Sequence, residues 1–208
     1  MTDSPFLVNI IDKTPFNLLL LDLIHSNEVS GKHITYCGIG SRSTPPYMLT
    51  YMRRIAKRLE HQWFVLYTGG AEGADTAFMA GTQYYKVFMP AHIHQQRTSN
   101  RQDLIDCTIL PNWNEALQTV YKYHPNPYSL NDFGKKLMAR NAYCVLGLDL
   151  NSPVDFILCW TPDGKEIGGT SQALRIAKDY DIPVFNLAIT QVFKDVISAL
   201  KLTELDIR

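Results

Sequence analysis

Two rhythms of apolar residues alternate along this chain. Short runs rich in β-branched and aromatic residues occupy positions 33–38, 63–68, 86–89, 154–160 and 182–187, and they read as buried strands. Between them, apolar residues return every three or four positions, the period of a helix with one buried face. Met48, Met52, Ile55, Ala56 and Leu59 mark such a stripe in a segment opened by Pro45 and Pro46 and reaching Glu60. Residues 74–81, small and apolar, suit a helix packed closely on a sheet. Residues 113–123, 132–146, 170–180 and 191–200 read as further helices. A dense apolar run over 16–24 predicts one more, within an N-terminal helical extension over 1–30. Residues 91–111 are polar and irregular and predict a long surface loop.

Strands and helices in alternation predict one α/β domain over 1–208 with its core over about 31–190. The expected sheet is doubly wound, mostly parallel, of five strands or more, with helices on both faces. Ligands of such folds bind beyond the carboxyl ends of the strands, where the strand order reverses.

Composition narrows the partners. Lys and Arg number 20 and so do Asp and Glu, so any nucleic-acid contact needs a local basic patch. The basic residues Arg53, Arg54, Lys57 and Arg58 between the apolar positions of the 45–60 segment could form one, although they read first as a solvated helix face. Cys37, Cys107, Cys144 and Cys159 are scattered, which points to buried thiols in a reducing compartment. The start lacks a basic n-region and a cleavage site, and no apolar run approaches the roughly 20 residues of a membrane span. A cytoplasmic protein without membrane contact is expected. The six histidines form no metal-binding pattern, His92 and His94 included, and no cofactor is implied. The G-x-S-x-G and Walker motifs are absent.

Candidate chemistry lies in three glycine-rich segments between a strand and a helix. The first is Gly38-Ile39-Gly40-Ser41-Arg42-Ser43, where glycines admit a ligand to the backbone, hydroxyls donate and Arg42 can fork onto phosphate. The second is Gly69-Gly70-Ala71-Glu72-Gly73-Ala74-Asp75, whose Glu72 and Asp75 can hydrogen-bond ribose or act as catalytic acids. For Asp75 the alternative is an acid favoured near a helix start. The third is Gly168-Gly169-Thr170-Ser171-Gln172, where Thr170 or Ser171 can equally be a helix N-cap. Arg140 and Asn141 fall near the end of the preceding helix, and Trp160, at a strand's end, can stack on a base or pack in the core.

The runs GIGSRSTP, TGGAEGADTAF, ARN and CWTPDGKEIGGTSQALRIA, followed by IPVFNL, resemble the DprA/Smf branch of the SLOG superfamily, which also includes the LOG proteins. The resemblance covers about residues 33–187. It implies a Rossmann-like domain, commonly dimeric or of higher order, whose loops hold phosphates of nucleotides or of single-stranded DNA. Ser41 and Arg42 match the GSR phosphate element. Gly69, Gly70, Gly73 and Asp75 match the second glycine element, Arg140 and Asn141 the Arg-Asn pair, and Gly168, Gly169, Thr170 and Gln172 the late loop.

Departures shape the expectation. Glu72 stands where DNA-processing members carry arginine, and no winged-helix module is expected after the closing helix. Leu174 and Arg175 occupy the positions of the LOG catalytic glutamate, and Ile167 replaces that motif's proline. The leading expectation is therefore a stand-alone domain binding a nucleotide or nucleotide-derived signal, of a kind common in phage and mobile elements. Single-stranded DNA binding with recombination mediation, and cleavage of an N-glycosidic bond, are the alternatives.

Overall fold

A computed structural model describes residues 15–31, 33–100 and 102–202. Part of the expected N-terminal extension, residues 1–14, lies outside them. In chain order the elements are α1 (Phe16–Ser30), β1 (Thr35–Gly40), α2 (Pro46–Glu60), β2 (Val65–Thr68), α3 (Ala74–Met79) and β3 (Tyr85–Met89). A two-stranded hairpin, β4 (Ile93–His94) and β5 (Arg97–Thr98), precedes β6 (Leu104–Asp106). Then come α4 (Trp113–Tyr123), α5 (Asp132–Leu146), β7 (Phe156–Trp160), α6 (Thr170–Asp179), β8 (Val184–Asn186) and α7 (Thr190–Ala199).

Six strands form one parallel sheet in the order β6-β3-β2-β1-β7-β8. Successive residues of a strand point to opposite faces, and both faces are dry. In β1 and β7, Tyr36, Phe156 and Leu158 enter a core with α1, α2, α3 and α7. Cys37, Ile39, Ile157 and Cys159 enter the other, with α4, α5 and α6. This continuous burial is why the strands read as unbroken apolar runs. The chain winds outward from β1 through β2, β3 and β6, then returns to β7 on the other side, so the order reverses between β1 and β7.

The expected surface loop over 91–111 is corrected. A two-residue turn at Gln95 and Gln96, with φ of 49° and 62°, closes the hairpin with His94 opposite Arg97. Asn100 Oδ1 then accepts from the amides of Gln102, Asp103 and Leu104, which launches β6 along β3. A three-residue edge strand has too little period to stand out in a sequence, but Ile105 and Cys107 are buried. β1 also runs two residues further than its apolar run predicted, so Ile39 and Gly40 are strand residues. α1 continues to Ser30 and stops where Gly31 takes φ +65°.

Phe156 is fully buried and touches the rings of Phe16, Tyr36, Phe64 and Phe185. Phe156→Ala should lower unfolding free energy by about 3–5 kcal/mol, measured as a fall in urea midpoint at unchanged slope.

Candidate functional site

The carboxyl ends of β1, β2 and β7 bring the three glycine segments to one edge of the sheet. Ser41 N donates to Trp160 O across β1 and β7 at 3.0 Å, so the first and third loops diverge from adjacent strands. The first loop is tightened by Ser41, whose Oγ lies 2.8 Å from Ser43 Oγ and accepts from Ser43 N at 3.1 Å. Arg42 is exposed above it.

Asp75 ties the first loop to the second. Its Oδ1 accepts from Gly40 N at 3.2 Å, and its Oδ2 accepts from Gly69 N and Ala71 N, each at 3.2 Å. The side chain is 3% exposed. Asp75 therefore lies beneath the loops, with its oxygens committed to backbone, and not on the ligand side where a ribose or a reacting bond would sit. Burial pushes its carboxyl above the ordinary 3.8, while Arg140 and the three amides pull it back down. Glu72, its neighbour in the motif, is exposed.

Arg140, expected near a helix end, is buried midway between loop and core. Its Nη1 lies 3.9 Å from Asp75 Oδ2 and its Nε donates to Leu137 O at 3.3 Å. The guanidinium fills the space that a Cβ on Gly69 would take. Glycine is required there for a side chain, not for a turn. At Gly73 (φ +89°) a Cβ would lie 2.8 Å from Ser41 O and 2.9 Å from Arg42 Cα, so the two loops pack backbone on backbone. Gly38 is glycine because Leu66 and Phe78 fill its side of the sheet, a packing role within β1.

In the third loop Asn141 Nδ2 donates to Gly169 O at 3.1 Å and Gln172 Nε2 to Met138 O at 3.0 Å, fixing the loop to α5. No side chain caps α6; Ser171 Oγ donates back to Gly168 O at 2.7 Å, and Thr170 is half-buried beside it. The N-cap expectation for Thr170 and Ser171 is thus corrected. Gly168 and Gly169 are exposed. Trp160 is half-buried and packs against the core on the α1, α2, α3 and α7 side.

The hairpin adds residues that the sequence did not single out as a site. Arg97 Nη1 donates to Gly70 O at 2.9 Å, which sets it beside Arg140 at Gly69. Opposite it, His94 stands 5.9 Å from the Phe133 ring. Burial, and after it the positive charges of Arg140, Arg97 and Arg42, push the His94 imidazole below the ordinary 6.5. His92 Nδ1 lies 2.7 Å from Ser99 Oγ, closing the hairpin's base. Among the described residues no group of three or more His, Cys, Asp or Glu side chains is placed to hold a metal ion, and no helix is long and apolar enough to cross a membrane.

Of two concavities, one borders this edge at Gly73 and the other lies apart from it. One of about 300 Å³ runs between α2 and α3 past Arg53 and Gly73. The other, of about 520 Å³, lies between α4 and the start of α5 and is lined by Trp113, Tyr121, Lys135 and Lys136 among others. Neither is lined by Arg42, Arg97 or Arg140. The glycine-loop edge is an open, charged shelf, which suits an anion held by backbone and guanidinium more than an enclosed apolar ligand.

No protein-family model matches the chain, and no curated protein matches its sequence. A solved structure of DNA processing protein A (DprA) from Helicobacter pylori, described for its single-stranded DNA binding mode, superposes on it with a TM-score of 0.50. The alignment covers 97% of this chain and 94% of that one, at 17% identity. The fold is DprA-like. At this identity the likeness speaks for the fold, a doubly wound Rossmann-like sheet, and the DprA-like topology accounts for three glycine segments meeting at one edge.

Two outcomes follow from this geometry. Gly69→Ala should displace Arg140 and cost about 3–5 kcal/mol, whereas Gly169→Ala, whose Cβ meets only Met138 Cε at 3.5 Å, should cost under about 1 kcal/mol by the same urea titration. As pH falls below 6.5, the unfolded chain takes up a proton that folded His94 resists, so this part of the stability is lost on acidification. His94→Gln should flatten the fall in urea midpoint between pH 7.5 and 5.5 (conditions set about the ordinary histidine value).

Proposed function

We propose that this chain binds a nucleotide or nucleotide-derived ligand, holding its phosphate on the shelf formed by the three glycine segments. The observation that carries the reading is the gathering of cationic side chains around Gly69 and Gly70. Arg140 underlies Gly69, Arg97 bonds Gly70 O, and Arg42 stands exposed on the adjoining loop. Arg140 is committed to Asp75 and contributes its field from below; Arg42 is free to fork onto phosphate oxygens. Ser41, Ser43 and the backbone of Gly168–Gly169 extend the shelf toward the reversal of strand order.

A second reading, single-stranded DNA, has its own support. The Helicobacter pylori protein is described as binding single-stranded DNA, and this chain shares its fold. Beyond the hairpin, Phe133 and Tyr121 are 47% and 43% exposed near Lys135 and Lys136, and Tyr128 is 84% exposed. Aromatic faces alternating with lysines are how unpaired bases are held without sequence preference. The hydrolase reading is weaker, because Asp75 spends its carboxylate on the loops and leaves Glu72 as the candidate acid.

Purified protein, denatured and analysed by mass spectrometry, should release a bound nucleotide, and nucleotides at 100 times Kd should stabilise the fold by about 2.7 kcal/mol. Arg42→Ala should weaken that ligand by about 10–100-fold. If oligonucleotides bind with a steep salt dependence and no mononucleotide does, the second reading replaces the first. Recovery of base and sugar phosphate as separate products, lost in Glu72→Gln, would establish the hydrolase.

A further inference from the structure

The β4–β5 hairpin carries two cation-forming side chains to the edge of the phosphate shelf, and its geometry gives each a distinct task. Arg97 is anchored: its Nη1 holds Gly70 O at 2.9 Å, and the turn at Gln95 and Gln96 fixes His94 directly across from it. His94 is not anchored. Its Nε2 is buried and has no hydrogen-bond partner, and its ring rests 5.9 Å from Phe133 at the start of α5. A buried ring nitrogen without a partner costs free energy unless something arrives to meet it.

The groups around His94 come from every neighbouring element. Arg97 faces it from β5, Arg140 from α5 and Arg42 from the loop after β1, with Asp75 of α3 behind Arg140 and occupied by backbone amides. Three guanidinium groups oppose a proton on His94 while the shelf is empty. An anion beside them offsets that positive field, and a doubly charged one does so more fully.

We propose that His94 gains a proton when a phosphate monoester dianion settles between Arg42 and Arg97, over the buried Arg140, so that the hairpin reads a terminal phosphate in preference to a diester and makes binding dependent on pH. This rests on the phosphate-shelf reading above. The proton is drawn from solvent, Nε2 becomes a donor to a phosphate oxygen, and no covalent bond changes. A phosphodiester brings one charge and fewer free oxygens, and leaves the imidazole neutral. Linkage fixes the direction: affinity for the dianion is highest on the acidic side and declines as pH rises through the histidine's value in the complex.

The probes are a four-residue oligothymidylate bearing a 5′-phosphate and the same oligonucleotide without it. Calorimetry in two buffers of different ionisation enthalpy, at a pH where the phosphate is already dianionic, measures proton uptake by the wild-type protein without any substitution. Uptake is expected with the phosphorylated probe and not with the other. His94→Gln, checked for an unchanged urea midpoint at pH 7.5, should abolish the uptake and weaken the phosphorylated probe by about tenfold at that same pH. It should leave the unphosphorylated probe unchanged. If wild type takes up no proton, or if His94→Gln binds both probes as wild type does, the proposal is overturned while the shelf stands. If wild type binds neither probe, the proposal is overturned; if it also binds no mononucleotide, the shelf reading itself fails.

Discussion

The carboxylate of Asp75 is the point from which the working edge of this molecule is organised. It sits at the second residue of a short helix and accepts the amides of Gly40, Gly69 and Ala71, which belong to the ends of two neighbouring strands and the turn after one of them. Without it, these three N–H groups would lose their partner, and the buried one of Gly69 would be left unsatisfied at a cost of about 1–3 kcal/mol. A charge so deeply placed needs compensation of its own, and Arg140 provides it from the opposite face of the sheet. The loops are thus held from beneath by an ion pair that no ligand has to break.

Constraints on the glycines follow from that arrangement. A guanidinium crossing under the second loop leaves no room for a side chain at Gly69, and the approach of the first loop leaves none at Gly73. These residues look in sequence like a ligand-approach motif, and part of their cause is internal. Packing the loops so closely makes a continuous strip of backbone at the sheet's edge. Arg97 extends the same logic sideways: by bonding Gly70 O it ties to the strip a hairpin that lies in sequence between β3 and the edge strand β6.

What the sequence made legible was whatever repeats along the chain. Five of the six parallel strands and all seven helices of the described residues announce themselves through runs and stripes, since burial on both faces forces apolar residues into them. The resemblance in the glycine segments likewise led to the fold that the Helicobacter pylori protein shares. β6 escaped because three residues at a sheet edge carry no period, and because its start is set by the Asn100 side chain. The direction of Asp75 escaped for another reason. An acid beside a glycine turn looks the same in sequence whether it faces a ligand or the backbone beneath, and only the positions of Gly40, Gly69 and Ala71 decide. His94 and Arg97 were invisible as a pair until a turn with two positive φ values set them face to face.

This division of labour bears on what kind of chemistry the edge can support. Bond cleavage by an acid or a nucleophile needs a group whose protons or lone pairs are available to the substrate. Asp75 has given its lone pairs to the scaffold, and Arg140 its charge to Asp75. The groups left facing outward are the exposed Arg42 and Glu72 and the hydroxyls of the first loop, with the hairpin imidazole, its Nε2 buried, beside them. Most of these are donors arranged about a shallow strip of backbone, the configuration of a surface that recognises an anion. On the proposed reading, the exposed acid at the rim, Glu72, opposes a long polyanion crossing the second loop, yet can accept from a hydroxyl of a small ligand whose phosphate Arg42 holds. In that reading the same residue weighs against extended DNA and in favour of a compact nucleotide.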